Sequence, residues 1–436
     1  MKTKFPMLSM LFLAALLAAN AAAKNSTSDA QAGIVAPEVG KSLPAWSKGE
    51  LDIHHINTGR GDAVFLLLPD GTSLLSDASG KTVEQAPFSL PTKPDASHPP
   101  GTWVARYVQR VLSSRALPER SRRQLDYFML SHFHGDHMGA IVPDSPLAPN
   151  GAYQLSGITE VAEHLHVAKI IDRGWPTYDY PAPIKNPTVD NYRKFLDWQI
   201  VRQGLEVERF QPGRNDQIKL LHDAGSYPDF EIRNIYTNGV VWTGKDSGTR
   251  SLFPSVRDLA PADYPIENTL SLVFRVSYGK FDYFHGGDLS NNDAETAFDP
   301  PAWKNVETPV ALAAGAVDAM KANHHGSWDA NSIGLLGNLK PRVIVVTSRA
   351  EGHPAINAWK HMTSKDVWPG ERDIFVTNVA PATAATTYGI EETAKSTQGH
   401  VVIRVAAGGA SYRVFVLDDD DEEMRVKAVF GPYASN

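Results

Sequence analysis

The chain has 436 residues, of which 42% are hydrophobic, so it is long enough to bury a core of its own. It contains no cysteine, which excludes disulfide bonds, thiolate metal ligands and a thiol nucleophile. The formal net charge of −7 argues against a broadly basic surface that would coat nucleic acid, but it does not exclude a local cationic groove.

The first residues have the pattern of a cleavable signal peptide. A basic start over residues 1–4 precedes an apolar segment over 7–17 and small residues up to 23. We therefore predict a signal peptide over 1–23, a disordered linker over 24–48 and a folded domain over 49–436. No apolar segment approaches the roughly 20 residues that a membrane helix needs. These features predict a secreted or periplasmic protein without stable membrane insertion, and no protein partner is predicted.

The domain begins with predicted strands over residues 52–56, 63–68 and 73–76, where apolar residues run or alternate. Apolar residues at helical spacing then predict a helix over 102–112. Another apolar run, residues 127–130, predicts a buried strand that leads into the most informative stretch of the chain.

That stretch reads SHFHGDHMG from position 131. It places three histidines and one aspartate within six residues: His132, His134, Asp136 and His137. Imidazole nitrogens and a carboxylate at this density suit a divalent ion such as zinc, and Gly135 lets the backbone approach closely. The cluster therefore predicts a metal centre at the end of a strand, the alternative being a polar turn that is rich in histidine by chance.

Residues 143–265 are rich in proline, tyrosine and tryptophan, and we predict an insertion subdomain that could roof the site. Its aromatic residues are Trp175, Tyr178, Tyr180, Tyr192, Trp198, Tyr227, Tyr236 and Trp242. They could form a wall that stacks on a base or surrounds a choline-like cation. The alternative is ordinary packing inside an irregular subdomain.

Two later motifs also follow predicted strands. The strand over residues 280–284 ends in Gly-Gly-Asp, where Asp288 is placed to bridge two cations, unless the motif is only a turn. A second motif contains His324 and His325 and continues with Gly-Ser. Adjacent side chains at a strand end point to opposite sides, so at most one of these histidines is expected to be a ligand. The other would orient it or contact a substrate oxygen.

Together these motifs resemble the HxHxDH signature of the metallo-β-lactamase superfamily. The resemblance implies an αββα sandwich, with His132 and His134 at a first metal and Asp136 and His137 at a second. Further motifs are NTGRGDA at 57–63, PDG at 69–71, LLSD at 74–77, NTLSLV at 268–273 and GHP at 352–354. They are similar to the hydrolase domain of bacterial DNA-uptake competence channel proteins and to secreted phosphorylcholine-esterase-like relatives.

Two departures from this pattern bear on the metal. Many relatives have aspartate at the second position of the cluster, whereas His134 is a softer ligand that favours zinc over manganese. The superfamily also has a histidine between the first cluster and the Gly-Asp turn. His164, His166 and His222 lie in that interval, but none follows a strand in a Gly-His turn. The sequence therefore allows either two metal ions or a single ion. A single ion would be held by Asp136, His137, Asp288 and one of the paired histidines.

The motifs predict a hydrolase in which a metal-bound hydroxide, oriented by Asp136, attacks phosphorus or a carbonyl carbon. His353, after a predicted strand over 342–347, would stabilise negative charge or protonate the leaving oxygen. Asn268 and Ser327 are predicted to hydrogen-bond to phosphate, and Lys321 or Arg60 to supply charge.

The favoured substrate is a phosphodiester, with nucleic acid slightly ahead of phosphorylcholine-type or other cell-envelope esters. One alternative is carboxyl-ester, lactone or β-lactam hydrolysis at the same site. Another is a non-catalytic envelope-binding module with a structural metal, although an intact catalytic motif set argues against it.

An acidic run over residues 418–423 lies between predicted strands over 413–417 and 424–429. It predicts the solvated tip of a hairpin. A calcium site is the alternative, but a linear run does not guarantee that the oxygen ligands converge.

Overall fold

The computed structural model describes Met1 and residues 38–80, 89–115, 118–291 and 301–436. Apart from Met1, the predicted signal peptide lies outside these residues, as does the first part of the predicted linker. The end of that linker runs beside a C-terminal segment, where Gly40 N donates to Val426 O at 2.8 Å and Leu43 N to Met424 O at 2.9 Å. Among the described residues, no helix has both the length and the apolar character needed to cross a membrane.

The described strands are numbered in chain order. They are β1 Leu51–His55, β2 Val64–Leu67, β3 Ser73–Ser76, β4 Gln124–Met129, β5 His166–Asp172, β6 Glu206–Arg209, β7 Phe230–Thr237, β8 Val240–Trp242, β9 Thr249–Ser251, β10 Val273–Tyr278, β11 Phe281–His285, β12 Ala319–Lys321, β13 Val343–Val346, β14 Asp373–Val376, β15 His400–Val405, β16 Ser411–Leu417 and β17 Val426–Ala434.

The described α-helices are mostly short. They cover Pro100–Ser113, Glu119–Arg122, Gly135–Met138, Ile158–His164, Pro187–Gln203, Glu307–Ala314, Ile333–Leu339, Ile356–Thr363, Pro381–Thr386 and Ile390–Thr393. The longest, Pro187–Gln203, begins at Asn186, whose side chain accepts a hydrogen bond from Thr188 N, and ends at the left-handed Gly204.

The strands form two mixed sheets. The first sheet has nine strands in the order β17-β16-β15-β1-β2-β3-β4-β5-β6, and the second has eight in the order β14-β13-β12-β11-β10-β7-β8-β9. In the first sheet β3 to β6 run parallel, and in the second β11 to β14 run parallel. The remaining neighbours pair antiparallel.

Alternation along the strands builds a core between the sheets. Leu51 and Ile53 of β1 belong to the same buried cluster as Phe274 of β10 and Val343 and Val345 of β13. The intervening residues of β13 face the other way, toward helices. A central parallel strand such as β13 is buried on both faces, which explains its continuous Val-Ile-Val-Val sequence.

Helices cover the outer face of each sheet. Against the second sheet, Val310, Leu335 and Trp359 come from three successive helices and pack in one cluster with Met320 and Ile344. Against the first sheet, Tyr107 of the helix Pro100–Ser113 lies with its hydroxyl 3.0 Å from His54 Nδ1 in β1. The predicted αββα sandwich is thereby confirmed.

The aromatic-rich residues 143–265 supply strands to both sheets. Strands β5 and β6 extend the first sheet beyond β4, and β7 to β9 extend the second beyond β10. The predicted aromatic residues are all buried or half-buried, which supports packing over a wall open to solvent. The hydroxyls of Tyr178 and Tyr192, for example, donate to buried Asp172 at 2.8 and 3.1 Å.

The acidic run lies between β16 and β17, which pair antiparallel, as expected for a hairpin. Asp418, Asp419 and Asp420 offer clustered carboxylate oxygens. Lys93 Nζ lies 2.6 Å from Asp420 Oδ1 and 3.7 Å from Asp419 Oδ1. A lysine ammonium thus already compensates these carboxylates, which argues against the calcium alternative.

Candidate metal centre

The polar motifs meet where parallel strands of both sheets end. Asp77 follows β3 and His132 follows the neighbouring parallel strand β4. In the other sheet Asp288 follows β11, and the His324–His325 pair follows the parallel neighbour β12. The carboxyl ends of parallel strands lie at one edge of a sheet, so the sandwich brings distant motifs to a common place.

Four side chains form the deepest group. Asp136, His137, Asp288 and His325 are buried, and their ligand atoms lie within 4.8 Å of one another. Asp288 Oδ2 lies 2.9 Å from His137 Nε2 and 3.2 Å from His325 Nε2. Asp136 Oδ2 lies 3.1 Å from His325 Nε2 and 3.7 Å from His137 Nε2. Two imidazoles and two carboxylates are a donor set that suits zinc or manganese.

Two more imidazoles approach the same carboxylate oxygen from a greater distance. Asp288 Oδ2 lies 3.8 Å from His324 Nε2 and 3.9 Å from His132 Nε2. His132 Nε2 also lies 3.0 Å from Nδ1 of His134, which is the exposed member of the cluster. Imidazoles from both halves of the predicted metal set therefore approach Asp288.

Each inward-facing imidazole is held from behind at its other nitrogen. His137 Nδ1 lies 2.8 Å from Asp77 Oδ2, and His324 Nδ1 lies 2.7 Å from Asp329 Oδ1. His325 Nδ1 donates to the Thr347 carbonyl at 2.8 Å and lies 3.2 Å from Asp62 Oδ1. His132 Nδ1 lies 3.0 Å from Ser131 Oγ. Such partners fix the ring orientation and raise the basicity of a metal-ligating histidine.

The paired histidines do not alternate as expected for a strand end. Strand β12 ends at Lys321, and His324 and His325 have left-handed backbone conformations with φ of 46° and 55°. Both imidazoles consequently reach Asp288, at 3.8 and 3.2 Å. The alternation used to separate the pair therefore does not apply, because that rule holds for extended backbone. That at most one of them is a ligand stays a prediction, and only His325 belongs to the group of closely spaced ligand atoms.

The interval histidines lie outside the metal-ligating groups of the described residues. His164 and His166 line a surface depression with Glu163 and Trp198. His222 Nε2 lies 3.8 Å from Asp126 Oδ2 in β4. None of the three therefore replaces the histidine that the superfamily pattern has in this interval.

Opposite charges neighbour each other in the deep group, and they shift the pKa values of its members. Burial lowers the pKa of His137, but the carboxylates of Asp288, Asp136 and Asp77 together outweigh burial and hold the pKa well above its usual value. Burial likewise raises the pKa of Asp136, but Arg349 and His137 outweigh it and hold the pKa well below the ordinary range. Imidazolium and carboxylate groups therefore pair here, and a bound divalent ion would displace those protons.

The predicted substrate-contacting residues lie in different settings. His353 is half-buried, its ring stacks on His325 with centroids 5.3 Å apart, and its Nδ1 has no hydrogen-bond partner among the described residues. Asn268 Nδ2 lies 3.2 Å from His324 Nε2, and its Oδ1 is unpartnered within the same part of the chain. Ser327 is buried, and its side chain supports Asp329 behind His324.

The two cations proposed from the sequence lie away from the opening. Lys321 is fully buried, with Nζ 2.6 Å from Asp62 Oδ2 and 2.9 Å from the Gly287 carbonyl. Its charge therefore compensates Asp62 beneath the centre. Arg60 donates from Nε to Thr92 Oγ1 at 3.1 Å, and both residues line a depression with His98.

Sequence reasoning missed Arg349 and Asp329. Arg349 Nε lies 2.6 Å from Asp136 Oδ2. Its position three residues after the apolar strand β13 could have drawn attention to it, because the other motifs also follow strands. Asp62 and Asp77 stand in the sequence motifs quoted above, but no role was predicted for either of them.

The residues present fit a divalent ion. Asp288 Oδ1 is buried and has no hydrogen-bond partner among the described residues, although a buried carboxylate normally satisfies both oxygens. The two carboxylates of the deep group would neutralise a charge of 2+, and its imidazoles are already oriented inward. The donor set does not by itself choose between zinc and manganese, since both accept nitrogen and oxygen ligands.

No protein-family model matches the chain. No curated protein matches it either. Among solved structures it is similar to CmlA, a diiron beta-hydroxylase from Streptomyces venezuelae, with 10% identity, 84% of this chain and 55% of that chain covered, and a TM-score of 0.38. It is also similar to Zn(2+)-bound PqqB from Methylobacterium extorquens, with 8% identity, 68% of this chain and 88% of that chain covered, and a TM-score of 0.32. For a long form RNase Z from yeast the identity is 10%, the coverage is 77% of this chain and 42% of that chain, and the TM-score is 0.35. The chain thus spans about half the length of CmlA.

Proposed function

We propose that the chain is a metal-dependent hydrolase that cleaves phosphodiesters. The observation that carries this proposal is the convergence of four imidazole Nε2 atoms on one oxygen of Asp288, at 2.9 to 3.9 Å. Each of these rings is fixed at its outer nitrogen. An arrangement of this kind is typical of metal ligands supported by a second layer of hydrogen bonds.

Asp136, His137, Asp288 and His325 would hold the better-defined ion, because their ligand atoms are the closest together. His132 and His324 lie farther from Asp288 Oδ2, at 3.9 and 3.8 Å, and His134 lies beside His132; these three would hold a second, weaker ion. A bound divalent ion supplies positive charge that polarises the bond under attack and makes the attacking water more acidic.

The opening of the centre favours catalysis over a purely structural metal. His134 is exposed, and the side chains of His324 and Arg349 keep 16% and 28% of their surface accessible. A structural zinc site is normally closed by four protein ligands, whereas a catalytic site keeps one side open. Solvent therefore reaches this centre from the side on which a substrate would enter.

His353 and Asn268 provide the polar contacts expected of the chain at that opening. Burial, together with the charges of His325 and Arg349, holds the pKa of His353 well below its usual value, so its ring is neutral. The unpartnered Nδ1 can then donate a hydrogen bond to an oxygen that gains negative charge as the bond breaks. Asn268 can hydrogen-bond to a non-bridging oxygen beside His324. A phosphodiester has two such oxygens, so the contacts on offer can be shared between them.

A substrate panel tests the proposal. Purified protein is stripped with a chelator, reloaded with zinc or manganese, and offered bis-p-nitrophenyl phosphate, p-nitrophenyl phosphorylcholine, single-stranded DNA and nitrocefin. We expect metal-dependent cleavage of at least one phosphodiester, and the panel separates nucleic acid from choline esters. Rapid nitrocefin turnover without any phosphodiester cleavage would favour carbonyl hydrolysis instead. A secreted or periplasmic location is part of the proposal and is tested by fractionating cells that produce the full chain.

A further inference from the structure

Arg349 lies three residues after the end of β13, at the open side of the metal centre. We infer that its guanidinium binds a non-bridging oxygen of the substrate's phosphate group. This inference rests on the proposed function and deepens it, because it names the side chain that would recognise the negative charge of the substrate.

Arg349 contacts a carboxylate of the deep group. Its Nε lies 2.6 Å from Asp136 Oδ2, the same oxygen that lies 3.1 Å from His325 Nε2. Asp136 is nearly buried, whereas 28% of the Arg349 side chain is accessible. Arg349 therefore covers the solvent-facing side of a carboxylate that belongs to the deep group.

The terminal nitrogens of the Arg349 guanidinium remain available for a ligand. Within the described part of the chain, the terminal nitrogens of Arg349 take part in no hydrogen bond, and Asp136 is its one ion-pair partner. A guanidinium carries five N–H donors in a planar fork whose geometry matches phosphate. Most of this donor capacity is therefore available to a ligand at the opening.

A bound ion would change the charge balance around Arg349. An ion held by Asp136 would share the negative charge that now compensates Arg349. The arginine would then be left with an uncompensated positive charge beside the reacting centre, and an anion is what satisfies it. Lys321 cannot take this role, because it is fully buried against Asp62. The monoanionic phosphate of a phosphodiester fits both the charge and the fork.

The test uses anion binding as well as turnover. Arg349→Gln and Arg349→Lys are compared with the parent and with Arg202→Gln, which removes an exposed arginine from the last turn of the helix Pro187–Gln203. Each protein is loaded with zinc, its zinc content is measured, and the binding of inorganic phosphate and of dimethyl phosphate is followed by calorimetry. Cleavage of bis-p-nitrophenyl phosphate is measured in parallel.

We expect Arg349→Gln to keep its zinc and to bind both phosphates roughly 10- to 100-fold more weakly, the scale of a lost charge-assisted hydrogen bond. Arg349→Lys should fall between Arg349→Gln and the parent, because it keeps the charge without the fork. Arg202→Gln should match the parent.

Phosphate affinity within twofold of the parent in zinc-loaded Arg349→Gln would overturn the inference, and so would a zinc-loaded parent that binds neither phosphate. If the parent bound phosphate through Arg349 but cleaved no phosphodiester, the anion site would stand and the proposed function would fall.

Discussion

Asp288 is the residue on which the candidate centre depends, since both groups of imidazoles face its Oδ2. We expect Asp288→Asn and Asp136→Asn to lose most bound metal and all measurable hydrolysis, because the remaining imidazoles cannot replace a charged ligand. Metal analysis of the purified variants checks this. The matched control is Asp258→Asn in an exposed turn, which should retain both properties. Normal metal content and turnover in either ligand variant would remove the proposed centre.

The paired histidines should behave differently from each other. His325 is fully buried and lies close to both Asp136 and Asp288, so His325→Ala should lose the better-defined ion. His324 lies farther out, so His324→Ala should keep that ion but lower the rate, by roughly 10- to 100-fold, the scale for a residue that supports a metal site. Metal stoichiometry and kcat measured on the same preparations distinguish the two. Variants that both bound metal and turned over like the parent would make this turn purely structural.

His353 is expected to act on the substrate rather than on the metal. Its Nδ1 is free of partners among the described residues, and its ring stacks on His325 without pointing that nitrogen at a carboxylate. His353→Ala should lower the rate by about 10²-fold or more, the usual scale for losing a transition-state hydrogen-bond donor. Metal content should stay at the parent level. A variant that lost its metal together with its rate would show instead that His353 maintains the centre.

At the scale of elements, the turn that carries the histidine pair is tied down by one buried carboxylate. Glu307 accepts hydrogen bonds at 2.8 Å from Asn331 N, Ser332 N and Asn323 Nδ2. It belongs to a helix on the outer face of the second sheet, so it connects that helix to the loop behind the metal centre. The conformation of the turn consequently depends on a residue that the sequence motif does not contain.

Glu307→Ala would leave several buried donors without acceptors. We expect the free energy of unfolding to fall by about 2–4 kcal/mol, and metal affinity to weaken because the turn loses its anchor. Urea unfolding of metal-stripped protein measures the first effect without linkage to metal binding. The exposed Glu371→Ala, next to Lys365, is the control and should change stability by less than about 0.5 kcal/mol. Equal stability of Glu307→Ala and the parent would contradict this role.

Strands and helices near the motifs were predictable because hydrophobic periodicity reports them directly. The predicted helix over 102–112 and strands over 280–284 and 342–347 match elements at 100–113, 281–285 and 343–346. The left-handed turn at His324 was not predictable, because non-glycine residues seldom adopt it and no local pattern marks it. Arg349 was missed since a single cation outside a motif carries no spacing signal. The strands within 143–265 were obscured by their irregular, aromatic-rich sequence.

At the scale of the molecule, a buried ion pair joins β1 to β15. Arg404 donates to both oxygens of Asp52 at 2.7 Å. Glu50 lies 3.7 Å from Arg404, and His54 lies 3.5 Å from Asp52. Burial raises the pKa of Asp52, but Arg404 and hydrogen bonds outweigh burial and lower the pKa from 3.8 to about 2. A carboxyl with a lowered pKa stabilises the folded state above its unfolded pKa and loses that contribution as the pH falls toward the folded value.

The stability of the parent should therefore fall by ~2 kcal/mol from this pair as the pH drops from 3.8 toward about 2. The double variant Asp52→Leu with Arg404→Leu removes both charges together and should lack this part of the acid dependence. Urea unfolding at about pH 4.5 and at about pH 2 provides the comparison. An acid dependence identical in the two proteins would show that the pair contributes nothing to it.

The αββα sandwich, with metals at one edge, was predicted through the resemblance that the HxHxDH cluster and the later motifs carry. Apolar patterning by itself predicted only individual strands and the helix before the cluster. Which atoms meet at that edge depends on the pairing of β11 with β12, on that of β12 with β13, and on the packing of the two sheets. Those long-range pairings leave no local trace, so the three carboxylates behind the imidazoles, Asp62, Asp77 and Asp329, gained their roles only from the structure.

The most direct test of the central claim is a zinc titration of the chelator-treated protein, followed by the rate of bis-p-nitrophenyl phosphate cleavage. We predict negligible cleavage without metal and a rise that saturates at one or two zinc equivalents, because the deep group would fill first and the His132 side second. A rate that is the same before and after reloading, or no cleavage at any zinc equivalent while zinc binds stoichiometrically, would contradict the proposal of a metal-dependent phosphodiesterase.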